Sequence, residues 1–375
     1  MKLPVRFVVA CALSMLGALP ATAQSVGTLL EATPLPGAPA GGTAYRIRYT
    51  SQDEFGAPKQ ITGTVIVPPG AAPAGGRDIV AWAHGTYGVA EKCAPWPTLF
   101  DSIAGLPDMM ARGYLVVASD YQGLGNPGPH PYLAGVSTAH SVLDAIRAAK
   151  GVSGASPSAR FVTWGESQGA HASLWTAHVA PTYAPELKLM GAAAAAPPTD
   201  LKANLTGGSN AAIRAFLTAY TADSWSAFYN APLAVFATPA TQGLIHRLAQ
   251  NNCTDLGKPK ISTEIGLAEM IAAMKGVDLS ADAPWGELMT RNSLSPRGYT
   301  VPIMIVQEDT DPVVAPAVTH DYAQKACAAG TTVHYLRLPD GNHNDAAQKS
   351  AAQAVPWMAD RFAGKPAPSD CGKLP

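Results

Sequence analysis

The sequence predicts an α/β fold, with a mainly parallel central sheet, helices on both faces and a large helical insertion, and three observations carry that prediction. Short apolar runs of the kind a strand buried on both faces shows alternate with longer stripes of helical period. The alternation stops over residues 201–296, where only helical stripes occur, and then resumes. A G-x-S-x-G pentapeptide over residues 165–169 stands between an apolar run and a helix-forming stretch, the context of a serine held at a tight strand-to-helix turn.

The chain begins with Lys2 and Arg6, an apolar run over residues 8–19 and the small-x-small site Ala21-Thr22-Ala23, the three parts of a cleaved secretory leader. Cleavage after Ala23 starts the mature chain at Gln24, and the apolar run is too short to span a bilayer. Val8-Val9-Ala10-Cys11 faintly resembles a lipoprotein box, but it lies too early for a hydrophobic region to precede it.

Alternating apolar residues at 45–49 and 61–67 flank a polar, glycine-containing turn and predict a strand pair within residues 43–68. Residues 78–83 form a continuous apolar run, a buried strand that ends in His84-Gly85-Thr86. A helix is expected over 100–112, then a second buried strand over 114–118 closed by Asp120-Tyr121-Gln122-Gly123. Val142, Leu143, Ile146 and Ala149 make the apolar stripe of a helix that leads into the strand at 160–164, the pentapeptide and a helix over 170–180. Residues 187–196, with five alanines, give a further strand stopped by Pro197-Pro198.

Within the insertion, Ile213, Phe216, Leu217, Tyr220 and then Leu267, Met270, Ile271, Met274 recur at i, i+3, i+4, i+7. Helices inserted at this place usually cap the catalytic face. About half of this apolar material is expected to be the cap's own core, and the rest to line an acyl channel, with Phe216, Leu217 and Met270 as the acyl-binding candidates. Beyond it come a strand over 301–306, a helix over 315–328, a strand over 332–338 and a last helix over 346–362. The expected organisation is a leader at 1–23, a core formed by 24–200 with 297–375, and a cap at 201–296.

The chemistry sits just past strand ends, where open parallel sheets place their sites. Ser167 follows one strand, Glu308, Asp309 and Asp311 follow another, and His343 follows the last. The order serine, acid, histidine is that of the α/β-hydrolase fold. In such a set the histidine takes the serine proton and returns it to the leaving group, while the carboxylate fixes the histidine tautomer and stabilises the imidazolium. Asp311 is taken as the acid, with Asp309 as the other candidate. The backbone N–H of Gln168 and an N–H from the Gly85-Thr86 stretch are expected to hold the oxyanion. Each piece alone has a bland reading, and the set in this order carries the weight. His84, His171 and His178 lack a zinc-type carboxylate motif and are expected to be structural.

With 26 basic against 27 acidic residues, the charge balance gives no footing for nucleic acid or an anionic membrane. The length and a 47% hydrophobic fraction allow one large core plus an insertion. Removing Cys11 with the leader leaves Cys93, Cys253, Cys327 and Cys371, an even number in an exported chain, so two disulfides are expected; spacing alone leaves three connectivities open.

The combination of His84-Gly85-Thr86, Cys93-Ala94-Pro95, Asp120-Tyr121-Gln122-Gly123-Leu124-Gly125, His130-Pro131-Tyr132, Gly165-Glu166-Ser167-Gln168-Gly169 with His171, and Pro197-Pro198-Thr199-Asp200 resembles the secretory lipase family, over nearly the whole mature chain. The resemblance implies an α/β-hydrolase fold with a large cap and a D-x-x-V acid, which Asp311-Pro312-Val313-Val314 matches and Asp309 does not. It also implies disulfides joining Cys93 to Cys253 and Cys327 to Cys371. A yeast member carries an acidic side chain in the oxyanion loop; this chain reads His84-Gly85-Thr86 there, so backbone donors are assigned.

The expected function is that of a secreted serine carboxylic-ester hydrolase, a lipase or esterase working through an acyl-enzyme, without cofactor or metal. Its expected partners are a small-molecule or lipid ester and a transient lipid interface; nucleic acid and stable membrane insertion are not expected, and the chain is expected to be monomeric. The rival readings are a cell-wall or polyester esterase, a peptidase of the same fold, told apart by activity on an aminoacyl anilide, and a non-catalytic binding module, told apart by failure to react with a fluorophosphonate.

Overall fold

A computed structural model describes residues 25–207, 210–254 and 261–374; the expected leader lies outside the described residues. Among the described residues nine strands, β1 (Leu29–Leu35), β2 (Thr43–Gln52), β3 (Pro58–Val67), β4 (Arg77–Ala83), β5 (Leu115–Ser119), β6 (Pro157–Glu166), β7 (Lys188–Ala195), β8 (Ile303–Glu308) and β9 (Val333–Leu338), form one sheet. Their order is β1-β2-β3-β5-β4-β6-β7-β8-β9. The first three run antiparallel and β3 meets β5 antiparallel, whereas every pair from β5 through β4 to β9 is parallel.

The parallel centre is apolar on both faces because both faces are covered. Ile79 and Ala81 of β4 pack with Val142 and Leu143 of α3 (Gly135–Ala148) on one side. Val80 and Trp82 pack on the other side with Met109 of α2 (Leu106–Ala111) and with Val355 and Met358 of α11 (Ala346–Phe362). Trp82 and Trp164 are register partners in β4 and β6 and meet edge to face at 5.9 Å.

Two elements differ from the sequence expectation. β1 was not anticipated: Leu-Leu-Glu-Ala-Thr-Pro-Leu lacks clean alternation and holds Pro34, which only an edge strand tolerates. The single helix expected over 100–112 is two, α1 (Leu99–Ser102) and α2, parted by Gly105 in the left-handed region at φ 80°. A Cβ at Gly105 would come within 2.6 Å of Val355, so close packing of α11 fixes the break.

The insertion between β7 and β8 holds α5 (Leu201–Gly207), α6 (Ala211–Tyr229), α7 (Pro239–Asn251), α8 (Ile261–Ala273) and α9 (Trp285–Asn292). It has its own core, in which Phe216, Tyr220, Trp225, Ile245, Met270 and Trp285 are buried together. Polar struts tie it to the sheet domain. The Trp225 indole donates to the Tyr132 carbonyl at 2.8 Å, and Arg291 pairs with Glu54 at 2.6 Å. The Cys93–Cys253 disulfide joins the loop after β4 to the end of the α7 segment, and Cys327–Cys371 fastens the C-terminal tail to α10 (Pro316–Ala328). No helix among the described residues is long and apolar enough to cross a membrane.

Candidate active site

Ser167 stands between β6 and α4 (Gln168–Tyr183) with φ 55° and ψ −120°, a strained conformation for a residue other than glycine. The turn closes because its flanks have no side chains. A Cβ on Gly165 would lie 2.3 Å from the Gly169 carbonyl oxygen, and one on Gly169 would lie 1.8 Å from that of Ala83. The Ser167 N–H donates to Ala195 of β7 at 2.9 Å, and the first helical bond runs from the His171 N–H to the Ser167 carbonyl at 3.0 Å. The N–H of Gln168 is thereby left outside the helical ladder, at the positive end of α4.

His343 Nε2 lies 2.7 Å from Ser167 Oγ, and His343 Nδ1 lies 2.8 Å from Asp311 Oδ2. Asp311 is itself held: its Oδ1 accepts from the N–H groups of Val313 at 2.8 Å and Val314 at 2.9 Å, and its Oδ2 from the Gln307 amide at 3.2 Å. Asp309 points away and forms a forked pair with Arg337 at 3.0 and 2.8 Å. The strand expected to end at residue 306 runs further, since β8 extends through Glu308, which is fully buried. Among the described residues neither carboxylate oxygen of Glu308 has a hydrogen-bond partner.

Burial alone would disfavour a charged His343, but the hydrogen bond and charge of Asp311, with the carboxyls of Glu166 and Glu308 nearby, outweigh it and raise the imidazole above the ordinary histidine value. Burial pushes Glu308 up to about 7, with Asp311 adding to the effect. Burial also pushes Glu166 up to about 8; His343 opposes the shift, and Glu308, Asp345 and Asp311 add to it.

The oxyanion candidates lie against the same turn. Gly85 approaches the elbow so closely that a Cβ there would sit 3.4 Å from the Glu166 carbonyl oxygen and 3.8 Å from Ser167 Cβ. Thr86 is anchored by its hydroxyl to Tyr132 at 3.0 Å. The Gln168 side chain is anchored too. Burial drives the His130 pKa down to about 3, so its ring is neutral; Nδ1–H donates to the Gln122 carbonyl at 2.8 Å and Nε2 accepts from the Gln168 amide at 2.9 Å. His171 and His178 meet the carbonyls of Asn292 at 2.7 Å and Ser295 at 3.0 Å, pinning the exit of the insertion to α4. His84 stacks on Tyr121 at 4.2 Å and contacts the Gly85 carbonyl at 2.7 Å.

A cavity of about 290 Å³ opens over Ser167 and His343. Leu217 lines it together with Ile213, whereas Phe216 and Met270 do not; both are buried in the core of the insertion. Of the three acyl-binding candidates, the structure thus brings one, Leu217, to this cavity. Residues 213 and 217 border the cavity, while 216 and 220 are buried in the core of the insertion, so the single stripe seen in the sequence is two faces. A larger cavity of about 500 Å³, lined by Leu205, Thr218, Ile271 and Met274, lies within the insertion and contains none of Ser167, Asp311 and His343. Sequence reasoning missed Trp82, Ser102 and Val313 as lining residues, and it gave Glu166 no role. Only the tertiary arrangement brings α1 to the elbow.

The secretory lipase family model matches residues 101–370, well over half of the chain. Among relatives, the chain is 27% identical over 350 residues to a probable inactive lipase of Mycobacterium tuberculosis, spanning 86% of this chain and 74% of that one. It is also 27% identical over 353 residues to a secreted triacylglycerol lipase of Malassezia globosa, spanning 87% and 73%. The structure resembles that of Candida antarctica lipase A in its closed state, with a TM-score of 0.76 at 18% identity, over 93% of this chain and 85% of that one; at this identity the likeness shows the fold. The chain belongs to the secretory lipase family, a family of carboxylic-ester hydrolases with the α/β-hydrolase fold.

Proposed function

We propose that this protein is a secreted serine hydrolase that cleaves carboxylic esters through an acyl-enzyme, with Ser167 as nucleophile, His343 as general base and acid, and Asp311 as the group that orients the imidazole. The observation that supports this most directly is the pair of short contacts meeting at His343, 2.7 Å to Ser167 Oγ and 2.8 Å to Asp311 Oδ2. Ser167 Oγ attacks the ester carbonyl carbon while His343 Nε2 takes its proton. The oxyanion forms next to the backbone N–H of Gln168 and to the Gly85-Thr86 stretch, whose donors favour the charge in the transition state. When the intermediate collapses, the bond to the alcohol oxygen breaks and His343 returns the proton to the departing alkoxide. Water, deprotonated by the same imidazole, then releases the acid and restores Ser167.

In this reading residues 24–200 and 297–375 form the hydrolase core, residues 201–296 the cap, and residues 1–23 a leader removed on export. Ile213 and Leu217 of α6 and Val313 give the cavity an apolar wall suited to the acyl chain. The reading is tested by steady-state hydrolysis of p-nitrophenyl butyrate together with fluorophosphonate labelling: wild type reacts with both and Ser167→Ala with neither. N-terminal sequencing of exported protein tests the leader, with Gln24 as the expected first residue.

A further inference from the structure

The cavity over Ser167 is not uniformly apolar. Trp82, Ser102, Glu166 and Asn344 contribute a polar corner to its lining. Among the described residues the buried indole N–H of Trp82 has no hydrogen-bond partner, and neither has the buried Oε1 of Glu166. The Ser102 hydroxyl donates to the Leu99 carbonyl at 3.0 Å and retains its lone pairs as acceptors. Both atoms belong to residues that line this cavity, and buried polar atoms left unpaired are costly unless something else meets them.

The position of this corner identifies what meets it. Asn344 follows His343 directly, and Gln348, five residues on, donates to the carbonyls of Asp101 and Ser102 at 3.2 and 3.4 Å, which brings α1 beside the histidine loop. The charged and titratable groups that act on Glu166 are His343, Asp311, Glu308 and Asp345. The corner therefore lies on the His343 side. Because His343 must hand its proton to the departing alkoxide, the alcohol half of an ester lies on that side.

We propose that Glu166 is a specificity-determining residue that binds a hydroxyl group on the alcohol half of the substrate, so that esters of polyhydric alcohols are preferred to esters of simple alcohols. This rests on the ester-hydrolase reading above. Burial, with the neighbouring acids adding to it, raises the Glu166 carboxyl to about 8. At neutral pH the protonated acid, which both donates and accepts, is therefore the favoured form. Discrimination of this kind is strong because the ester that lacks the hydroxyl leaves buried polar groups unpaired.

Glyceryl 1-monobutyrate and propyl butyrate share the acyl group and a three-carbon alcohol and differ only in two hydroxyls, so the ratio of their kcat/KM values reads the preference. The expected wild-type ratio is about tenfold or more in favour of the glyceryl ester. Glu166→Leu brings it within about threefold of unity, and Glu166→Gln, which keeps a donor and an acceptor, retains it. If Glu166→Leu does not fold, Asn344→Leu, on the exposed loop, reads the same corner and lowers the ratio. A wild-type ratio near one, a full ratio in folded Glu166→Leu, or, in its absence, an unchanged ratio in Asn344→Leu overturns the inference and leaves ester hydrolysis standing. Failure of folded wild type to hydrolyse either ester overturns the hydrolase reading, and this inference with it.

Discussion

The Nε2 atom of His343 lies 2.7 Å from the hydroxyl oxygen of Ser167, although 176 positions separate the two residues in sequence. In the proposed mechanism that contact makes the serine hydroxyl a nucleophile, because its proton has a place to go as the bond to carbon forms. Ser167→Ala is therefore expected to fold like wild type and to lose about four orders of magnitude in kcat, with what remains coming from binding and oxyanion donors alone. Turnover of a soluble ester, measured beside a far-UV spectrum, checks this. Activity close to that of wild type would sink the serine mechanism.

Asp311 and Asp309 separate cleanly. Asp311 is buried against His343 and accepts from two backbone N–H groups, while Asp309 is exposed and engaged with Arg337. Asp311→Asn is expected to lower kcat by roughly 10⁴, since an amide presents the wrong partner to His343 Nδ1. Asp309→Asn removes one surface ion pair, an effect of about 1 kcal/mol or less on stability, and leaves kcat within about twofold. Parallel steady-state kinetics on the two variants decides the matter, and the reverse ranking would reassign the acid.

The pH profile follows from the environment of His343. The imidazole must be neutral to act as base, and its pKa is raised above 6.5 because the Asp311 and glutamate contributions outweigh burial. Protonation on the acid side therefore removes the active form, and the acid limb of kcat/KM is expected to lie above the ordinary histidine value. Glu308→Gln deletes one of the carboxyls that raise it, so the limb should move to lower pH. Profiles on a soluble ester between pH 5 and 9 read the direction, and an upward movement in the variant contradicts the assignment.

The sequence reveals the parts of this site that depend on local geometry. The glycines two residues on either side of Ser167 are legible because the elbow admits no side chain at those positions, as the 1.8 Å approach at Gly169 illustrates. Asp311 is legible through its D-x-x-V pattern, and the reason is physical: the N–H of Val314 is one of the two that hold its carboxylate. The four cysteines beyond the expected leader announce two bridges, but their pairing depends on where the loop after β4 meets the end of α7, which spacing does not encode. The polar corner was not legible, since Ser102, Glu166 and Asn344 come from three distant segments. The proposed acyl wall was half legible. Apolar periodicity marks which residues of α6 are buried, yet it is silent on whether a buried face looks toward the catalytic cavity or toward the next helix.

That last distinction yields a prediction in which the same helix gives two opposite results. Leu217 borders the cavity over Ser167, while its neighbour Phe216 is fully buried against Tyr220 in the insertion core, with ring centroids 4.4 Å apart. Each additional methylene of an acyl chain that reaches an apolar wall gains about 0.8 kcal/mol, so specificity should climb with chain length until the cavity is filled. Leu217→Trp places more volume in that space and is expected to move the optimum of kcat/KM, over a series of p-nitrophenyl esters from acetate to decanoate, toward shorter acyl groups without unfolding the protein. Phe216→Ala leaves the cavity wall in place and opens a void in the core instead, so it is expected to cost about 3–5 kcal/mol of stability in denaturant titrations while leaving the position of the chain-length optimum unchanged. Should Phe216→Ala shift the optimum and Leu217→Trp leave it where it was, the acyl chain passes between α6 and α8 rather than under α6, and the two faces of the helix exchange roles.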